Sequence, residues 1–114
     1  MAIVDDDHGV RESLRFLLEV AGHSVETFAS AADFLAFEIK HLSCLILDHH
    51  MPPMNGLELA ERLRAGGSVI PILLITGLPS PSMVARAAAL GIARVLAKPF
   101  DDKELLEFVK THRS

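Results

Sequence analysis

The sequence is poor in cysteine and in basic residues, and each deficit excludes a class of protein. Cys44 is the single cysteine among 114 residues, so no intramolecular disulfide can form, and a reducing compartment is indicated. Its place in an apolar segment favours burial as a small hydrophobic side chain. Eleven Lys and Arg against 15 Asp and Glu give a formal net charge of -4. We therefore expect no direct binding to nucleic acid, which requires a basic patch.

Long apolar runs are also missing. The first apolar stretch meets Asp5-Asp6-Asp7 too early for a secretory signal, and no later run reaches the length of a membrane span. Half of the residues are nevertheless hydrophobic, which suffices for the core of one small domain. We expect a soluble, cytoplasmic protein with a single domain over residues 1–114 and no contact with membranes.

Short apolar segments alternate with longer helical patterns along the whole chain. The predicted strands are residues 2–4, 25–28, 44–48, 71–75 and 93–96. Helix starts are indicated by Asp7, by Ser30, by Asn55 with Glu58, by Ser80 before Pro81, and by Asp101 with Glu104. Each parallel crossover needs a helix, so this alternation predicts an α/β fold with a mostly parallel sheet covered on both faces.

Four of the five predicted strands end in a chemically reactive side chain. Asp5 and Asp6 follow the first strand, Asp48 the third, Thr76 the fourth and Lys98 the fifth. Parallel strands place these ends at one edge of the sheet, where we expect Asp48 on a rigid rim facing outward. Converging carboxylates repel one another unless cations compensate, and one lysine leaves an excess of negative charge. Hard oxygen ligands suit Mg²⁺, which prefers one or two carboxylates together with waters and a phosphate oxygen, so the site is suited to a phosphoryl group.

The residues at these strand ends carry a resemblance that covers essentially the whole chain. The chain resembles the receiver domain of bacterial two-component response regulators. The matching motifs are Val4-Asp5-Asp6-Asp7, Asp48 with Met51-Pro52 and Met54-Asn55-Gly56, Ile75-Thr76-Gly77, and Lys98-Pro99-Phe100. The resemblance implies a flavodoxin-like, five-stranded parallel sheet of order 2-1-3-4-5, with no output domain in this chain. It also implies a cis peptide bond between Lys98 and Pro99.

The resemblance further implies a role for each site residue. Asp48 would accept a phosphoryl group from a phosphohistidine on a sensor histidine kinase or phosphotransfer protein. Thr76 would hydrogen-bond one phosphoryl oxygen and Lys98 would pair with another. The implied Mg²⁺ ligands are Asp6, Asp48 and the backbone carbonyl of His50, with Asp5 in the outer shell. Such a domain signals, and it assists only its own phosphorylation and dephosphorylation rather than acting as an enzyme on other substrates.

Two departures from the family pattern bear on how a signal would leave the site. Val95 stands in the fifth strand where the family usually has an aromatic switch residue, and the loop Leu78-Pro79-Ser80-Pro81 is stiffer and more apolar than usual. We expect activation to travel through this loop and the fourth helix. The partner or homodimer face would lie around Met83, Ala87 and Val95, although core burial is an equally plain role for each.

Leu78 and His50 resemble the positions that flank the path of a water attacking the phosphoryl group. Apolar Leu78 should slow hydrolysis by excluding water, whereas an imidazole at His50 could either orient a water or block it. Simpler roles compete at neighbouring positions. Asp7 suits a helix N-cap better than a metal ligand, and His49 and His50 suit solvated loop residues better than a transition-metal pair.

Three rival functions remain at this point. An FMN protein with the same sheet would cradle phosphate after the first strand, where Asp5-Asp6-Asp7 would repel it. A phosphatase with an Asp nucleophile would need a second acid at the position of His50. The third rival is a pseudo-receiver that binds partners without phosphorylation; Val95 and the loop after Thr76 favour it, whereas the complete set of site residues disfavours it.

Overall fold

The structure is a computed structural model that describes residues 1–37 and 42–112. Within these ranges five strands alternate with five helices, as the sequence predicts. The strands are β1 (Ala2–Val4), β2 (Glu26–Phe28), β3 (Leu45–Asp48), β4 (Ile72–Thr76) and β5 (Arg94–Ala97). The helices are α1 (His8–Val20), α2 (Ala31–Leu35), α3 (Gly56–Ala65), α4 (Pro81–Ala89) and α5 (Asp102–His112). Each described helix is too short or too polar to span a lipid bilayer.

The strands form one parallel sheet in the order β2-β1-β3-β4-β5, which confirms the expected topology. Val4 lies opposite Leu47, and Asp48 lies opposite Ile75. Thr76 in turn pairs with Ala97. This register brings the carboxyl ends of β1, β3, β4 and β5 to one edge of the sheet, which we call the carboxyl edge.

Two apolar clusters cover the two faces of the sheet. Alternate residues of the central strands supply both, so Ile46 packs with α1 and α5 while Leu47 packs with α2, α3 and α4. Cys44 is fully buried in the first of these clusters, and burial raises the pKa of its thiol. The prediction that it behaves as a small core side chain is confirmed.

The helix starts follow the capping signals in the sequence. The Asp7 side chain accepts a hydrogen bond from the backbone N–H of Val10, which confirms Asp7 as the N-cap of α1. Asn55 and Glu58 form a complete capping box on α3. Ser80 caps α4, with Pro81 in the first helical position. These caps hold the starts of α1, α3 and α4 beside the carboxyl edge.

The opposite end of α4 is held by a side chain from α3. The Arg64 guanidinium donates to the carbonyl oxygens of Leu90 at 2.7 Å, Ser68 at 3.2 Å and Gly91 at 3.3 Å. Burial lowers the pKa of Arg64 from its usual value. The contact satisfies carbonyl groups that the end of a helix leaves unpaired, so the C-terminal end of α4 is fastened to α3.

Candidate functional site

Asp48 is the last residue of β3 and lies at the centre of the carboxyl edge. Its side chain is buried, with 4% of the residue exposed, so the expectation that it faces outward is wrong. The reason is that Asp48 stays in the strand ladder opposite Ile75 while Lys98 reaches over its carboxylate. The Lys98 Nζ lies 2.9 Å from Asp48 Oδ1. Their contact is an ion pair without hydrogen-bond geometry, and this Oδ1 has no hydrogen-bond partner among the described residues.

Asp5, Asp6 and Asp48 bring carboxylate oxygens within 4.8 Å of one another. Asp5 is buried, whereas Asp6 is exposed. The pKa of Asp5 is raised to about 6, mainly by burial. The hydrogen bond from the Asp7 backbone N–H lowers this pKa and the charge of Asp48 raises it, but both effects are smaller than that of burial. The cluster therefore holds a concentration of negative charge that a cation would stabilise.

Lys98 supplies one such cation from the end of β5. Its backbone N–H donates to the Thr76 carbonyl at 2.8 Å, and the Lys98–Pro99 peptide bond is cis, as the family resemblance implies. Burial lowers the pKa of Lys98, but contact with Asp48 and the charges of Asp5 and Asp7 outweigh that effect and raise it. Lys98 thus stays protonated beside the carboxylates.

Thr76 ends β4, one residue later than the predicted strand, and it is fully buried. Its hydroxyl oxygen accepts a hydrogen bond from the backbone N–H of Leu78 at 3.3 Å. Leu78 itself is 80% exposed. A single hydrogen bond therefore connects the Thr76 hydroxyl to the loop that leads into α4.

The loop after Asp48 is packed closely against the start of α3. The His49 N–H donates to the Ile75 carbonyl at 2.8 Å, and the Gly56 N–H donates to the His49 carbonyl at 3.0 Å. A Cβ on Gly56 would lie 2.7 Å from Leu74 Cδ1 and 2.9 Å from the Asp48 carbonyl oxygen. Only glycine fits there without displacing the backbone of the site.

The two loop histidines differ in environment. Burial and the neighbouring His50 lower the pKa of His49, whose Nδ1 is buried without a hydrogen-bond partner in the described residues. His50 is exposed. Their rings meet edge to face with centroids 5.1 Å apart. The structure also has a cis bond between Pro52 and Pro53 that was not predicted from the sequence.

The donor set at this edge fits Mg²⁺. The three clustered carboxylates offer hard oxygen atoms, and the buried Oδ1 of Asp48, which pairs with Lys98 but accepts no hydrogen bond within the described residues, keeps lone pairs that a cation would satisfy. Asp5 contributes an oxygen to the cluster on the same terms as Asp6 and Asp48. The outer-shell role of Asp5 stays a prediction.

Arg11 is a site neighbour that the sequence reasoning missed. Its Nη1 donates to the Asp5 carbonyl oxygen at 2.7 Å from the first turn of α1. A basic residue one helical turn after an acidic N-cap was the available signal, because that spacing returns the side chain to the start of the helix.

A parallel 2-1-3-4-5 sheet with an acidic trio and a lysine at its carboxyl edge defines a receiver-type signalling domain. The chain belongs to the response regulator receiver domain family, whose model matches residues 1–110. Among curated relatives, it is 39% identical over 109 residues to the transcriptional regulatory protein FixJ of Azorhizobium caulinodans, covering 95% of this chain and 52% of FixJ. It is also 39% identical over 109 residues to the response regulator TodT of Pseudomonas putida strain F1, covering 95% and 48%.

Solved structures agree with this assignment. The response regulator StyR superposes with a TM-score of 0.90 at 43% identity, over 97% of this chain and 57% of that one. The FixJ-N structure superposes with a TM-score of 0.86 at 36% identity, over 96% and 88%. Vibrio cholerae CheY4 gives 0.87 at 32% identity, over 97% and 95%. The chain spans about half the length of the curated relatives it matches.

Proposed function

We propose that Asp48 takes up a phosphoryl group from a phosphohistidine on a sensor histidine kinase or phosphotransfer protein, and that residues 1–114 act as one receiver unit in this reaction. The observation that carries the proposal is the buried Asp48 carboxylate, paired with Lys98 and clustered with Asp5 and Asp6. Partnered with such a kinase, the domain would work in the cytoplasm.

The roles of the side chains follow from their positions. A carboxylate oxygen of Asp48 forms a bond to phosphorus as the bond from phosphorus to the histidine nitrogen breaks, and the imidazole leaves with that electron pair. Mg²⁺, held by Asp6, Asp48 and the His50 carbonyl with Asp5 in the outer shell, would supply neutralising charge. Lys98 is close enough to Asp48 to exchange its present partner for a phosphoryl oxygen.

The site assignment has a direct test. The wild-type chain and the Asp48→Asn variant are incubated with Mg²⁺ and a small phosphoramidate, and their intact masses are compared. We expect one phosphoryl adduct on the wild type and none on the variant, because the amide is a poor nucleophile. Asp33→Asn, an exposed position on α2, serves as the control and should be modified like the wild type. Equal modification of Asp48→Asn would refute the assignment; no adduct on any chain would favour a pseudo-receiver.

The signal would leave the site through Thr76. Its hydroxyl accepts the hydrogen bond from the Leu78 N–H, so a movement of Thr76 that brings this hydroxyl to donate to a phosphoryl oxygen would draw on the loop before α4 and shift it. Val95 has no ring to rotate, and its branched Cβ restricts its rotamers, so it offers no comparable switch. We place the response in residues 77–90 for these reasons.

The proposed partner or homodimer surface is the α4–β5 face, which we define by Met83, Val84, Ala88, Arg94 and Val95. Val84 is 46% exposed, and Met83 and Val95 are half-buried. Ala87, named with this face from the sequence, instead lies in the core because it points from α4 toward the sheet, with 1% of its surface exposed. A groove of about 440 Å³ between α4 and β5 leaves room for apolar side chains of a partner.

A further inference from the structure

Three hydrogen bonds hold Asp5, the residue that precedes Asp6. The Asp5 N–H donates to the Phe28 carbonyl at 3.1 Å, and Asp5 Oδ1 accepts from the Asp7 N–H at 2.9 Å. The Asp5 carbonyl oxygen accepts from Arg11 Nη1 at 2.7 Å. That carbonyl belongs to the peptide plane joining Asp5 to Asp6. The Arg11 contact therefore fixes the plane from which the exposed Asp6 side chain projects.

The start of α1 sets where the Arg11 guanidinium can reach. Asp7 caps the helix, and the Arg11 N–H donates to the Asp7 carbonyl at 3.0 Å as part of the first turn. Helical side chains lean toward the N-terminus, so the half-buried Arg11 lies back over the β1–α1 turn. Its Nη2 also lies 3.3 Å from His8 Nδ1. Across the described ranges, no carboxylate forms an ion pair with Arg11, so its principal contact is the Asp5 carbonyl.

We propose that Arg11 is a positioning residue that holds the Asp5–Asp6 peptide in the orientation a divalent cation requires; this rests on the proposed function only in taking Asp6 as a ligand. Partners that orient metal ligands from outside the coordination sphere raise metal affinity by fixing the ligands in advance. Arg11 does this through a backbone carbonyl, so the Arg11 guanidinium itself occupies neither the Asp5 nor the Asp6 carboxylate.

The charge of Arg11 acts in the opposite direction, which makes the proposal decidable. A guanidinium near the cluster repels Mg²⁺, so its removal would strengthen cation binding if charge were its only effect. Loss of positioning would instead weaken binding. The sign of the change in Mg²⁺ affinity therefore separates the two roles.

The experiment compares Arg11→Met, Arg11→Lys and Arg15→Met. Arg15 lies one turn further along α1 and pairs with Glu19 at 3.4 Å, so it is a matched loss of charge away from the site. Mg²⁺ affinity is measured by calorimetric titration at a fixed ionic strength. We expect Arg11→Met to bind Mg²⁺ about three- to tenfold more weakly. The loss should be smaller than the roughly 10–100-fold loss typical for partners of metal ligands, because the repulsion between Arg11 and Mg²⁺ is also removed. Arg11→Lys should recover part of the loss, and Arg15→Met should match the wild type.

A second readout needs no metal. Amide hydrogen exchange at Asp7, whose N–H donates to Asp5 Oδ1, should be faster in metal-free Arg11→Met than in metal-free Arg15→Met, at matched fractions of folded protein judged by melting curves. Unchanged or tighter Mg²⁺ binding in Arg11→Met, or unchanged exchange, would overturn the proposal. If Arg11→Met does not fold, the same exchange measurement is made on Arg11→Lys. Exchange faster than in Arg15→Met would support the proposal, and equal exchange would overturn it. The mass test on wild-type Asp48 stands apart, so failure there would refute phosphoryl uptake without bearing on Arg11.

Discussion

The carboxyl edge and the α4–β5 face differ in how buried and how tightly held their residues are. At the carboxyl edge, Asp5, Asp48 and Thr76 are buried polar residues, each engaged by a hydrogen bond or an ion pair. On the α4–β5 face, Val84 and Ala88 are small, exposed and beside an open groove. Strongly constrained groups hold a fixed geometry, whereas elements with few buried contacts move at low cost.

On the basis of this difference we propose that the chemistry takes place at the carboxyl edge and the response at the α4–β5 face. Thr76 lies between them, because its backbone belongs to β4 and its hydroxyl contacts the loop before α4. Arg64 fastens the far end of α4, so displacement of that helix would be largest at the end next to the site. The following predictions test this division, beginning with the largest expected effect.

Removing Lys98 should separate metal binding from response. We expect Lys98→Ala to retain Mg²⁺ binding, since the ammonium pairs with Asp48 and in our proposal would pair with a phosphoryl oxygen rather than with the metal. The spectral changes of α4 on phosphorylation should be lost. Chemical-shift changes on adding Mg²⁺ report metal binding, and further changes on adding beryllofluoride report the α4 response. Lys103→Ala, at an exposed position on α5, is the control. A normal α4 response in Lys98→Ala would break the proposed link.

Neutralising Asp5 should stabilise the metal-free fold. Its folded-state pKa of about 6 lies above the usual 3.8, so the folded state binds more protons than the unfolded chain between these values. The free energy of unfolding should fall as pH rises through this window. At pH 7 Asp5→Asn should gain at most about 3 kcal/mol, the equivalent of a two-unit shift.

Thermal melting without Mg²⁺ at pH 5 and pH 7 measures this effect. Glu107→Gln on the exposed side of α5 controls for the general loss of one negative charge. The advantage of Asp5→Asn should be smaller at pH 5 and should shrink when Mg²⁺ is added. A destabilised Asp5→Asn at pH 7 would contradict the account of the cluster as repulsive.

Leu78 should govern how long the phosphoryl group survives. Its side chain is exposed, its backbone N–H contacts the Thr76 hydroxyl, and we expect an apolar group there to keep the attacking water away. We expect Leu78→Asn to shorten the half-life a few-fold, as followed by loss of the adduct in intact mass spectra. Val69→Asn, equally exposed but remote from the carboxyl edge, is the matched control. An unchanged half-life would remove Leu78 from the mechanism.

The smallest expected signal is a gradient along α4. With beryllofluoride, amide exchange should change most at residues 77–84 and least near Leu90 and Gly91, where Arg64 holds the carbonyls. In Arg64→Met the gradient should flatten. Changes confined to the acidic cluster would show that the α4–β5 face does not respond.

Sequence reasoning predicted the fold and the convergence of the acidic residues with Lys98 because both depend on order along the chain. Parallel strands must place Asp5, Asp48 and Lys98 at one edge, whatever the details of packing. Local signals such as the Asp7 cap were readable for the same reason. Four of the five predicted strands start one residue later in the structure, since pairing with a neighbour rather than propensity decides where a strand begins.

Features that depend on contacts between distant segments were not readable. Asp48 is buried because Lys98 reaches it across the edge, and Ala87 is buried because of how α4 rests on the sheet. The Thr76 hydrogen bond to Leu78 depends on one side-chain rotamer. Arg11 was missed because its partner is a backbone carbonyl rather than a side chain, so only its spacing from the Asp7 cap pointed to the contact.

The close approach of Gly56 to the site affects how this domain can vary. A side chain there would strike both the core residue Leu74 and the backbone carbonyl of Asp48. A substitution at Gly56 should therefore disturb the core and the backbone of the site together. A library of substitutions at Gly56 should yield few chains that fold but do not signal. Leu78, which is 80% exposed, has no such coupling. If Leu78 controls the lifetime of the phosphoryl group as predicted, related domains can vary that lifetime at Leu78 without loss of the fold, whereas Gly56 cannot vary in this way.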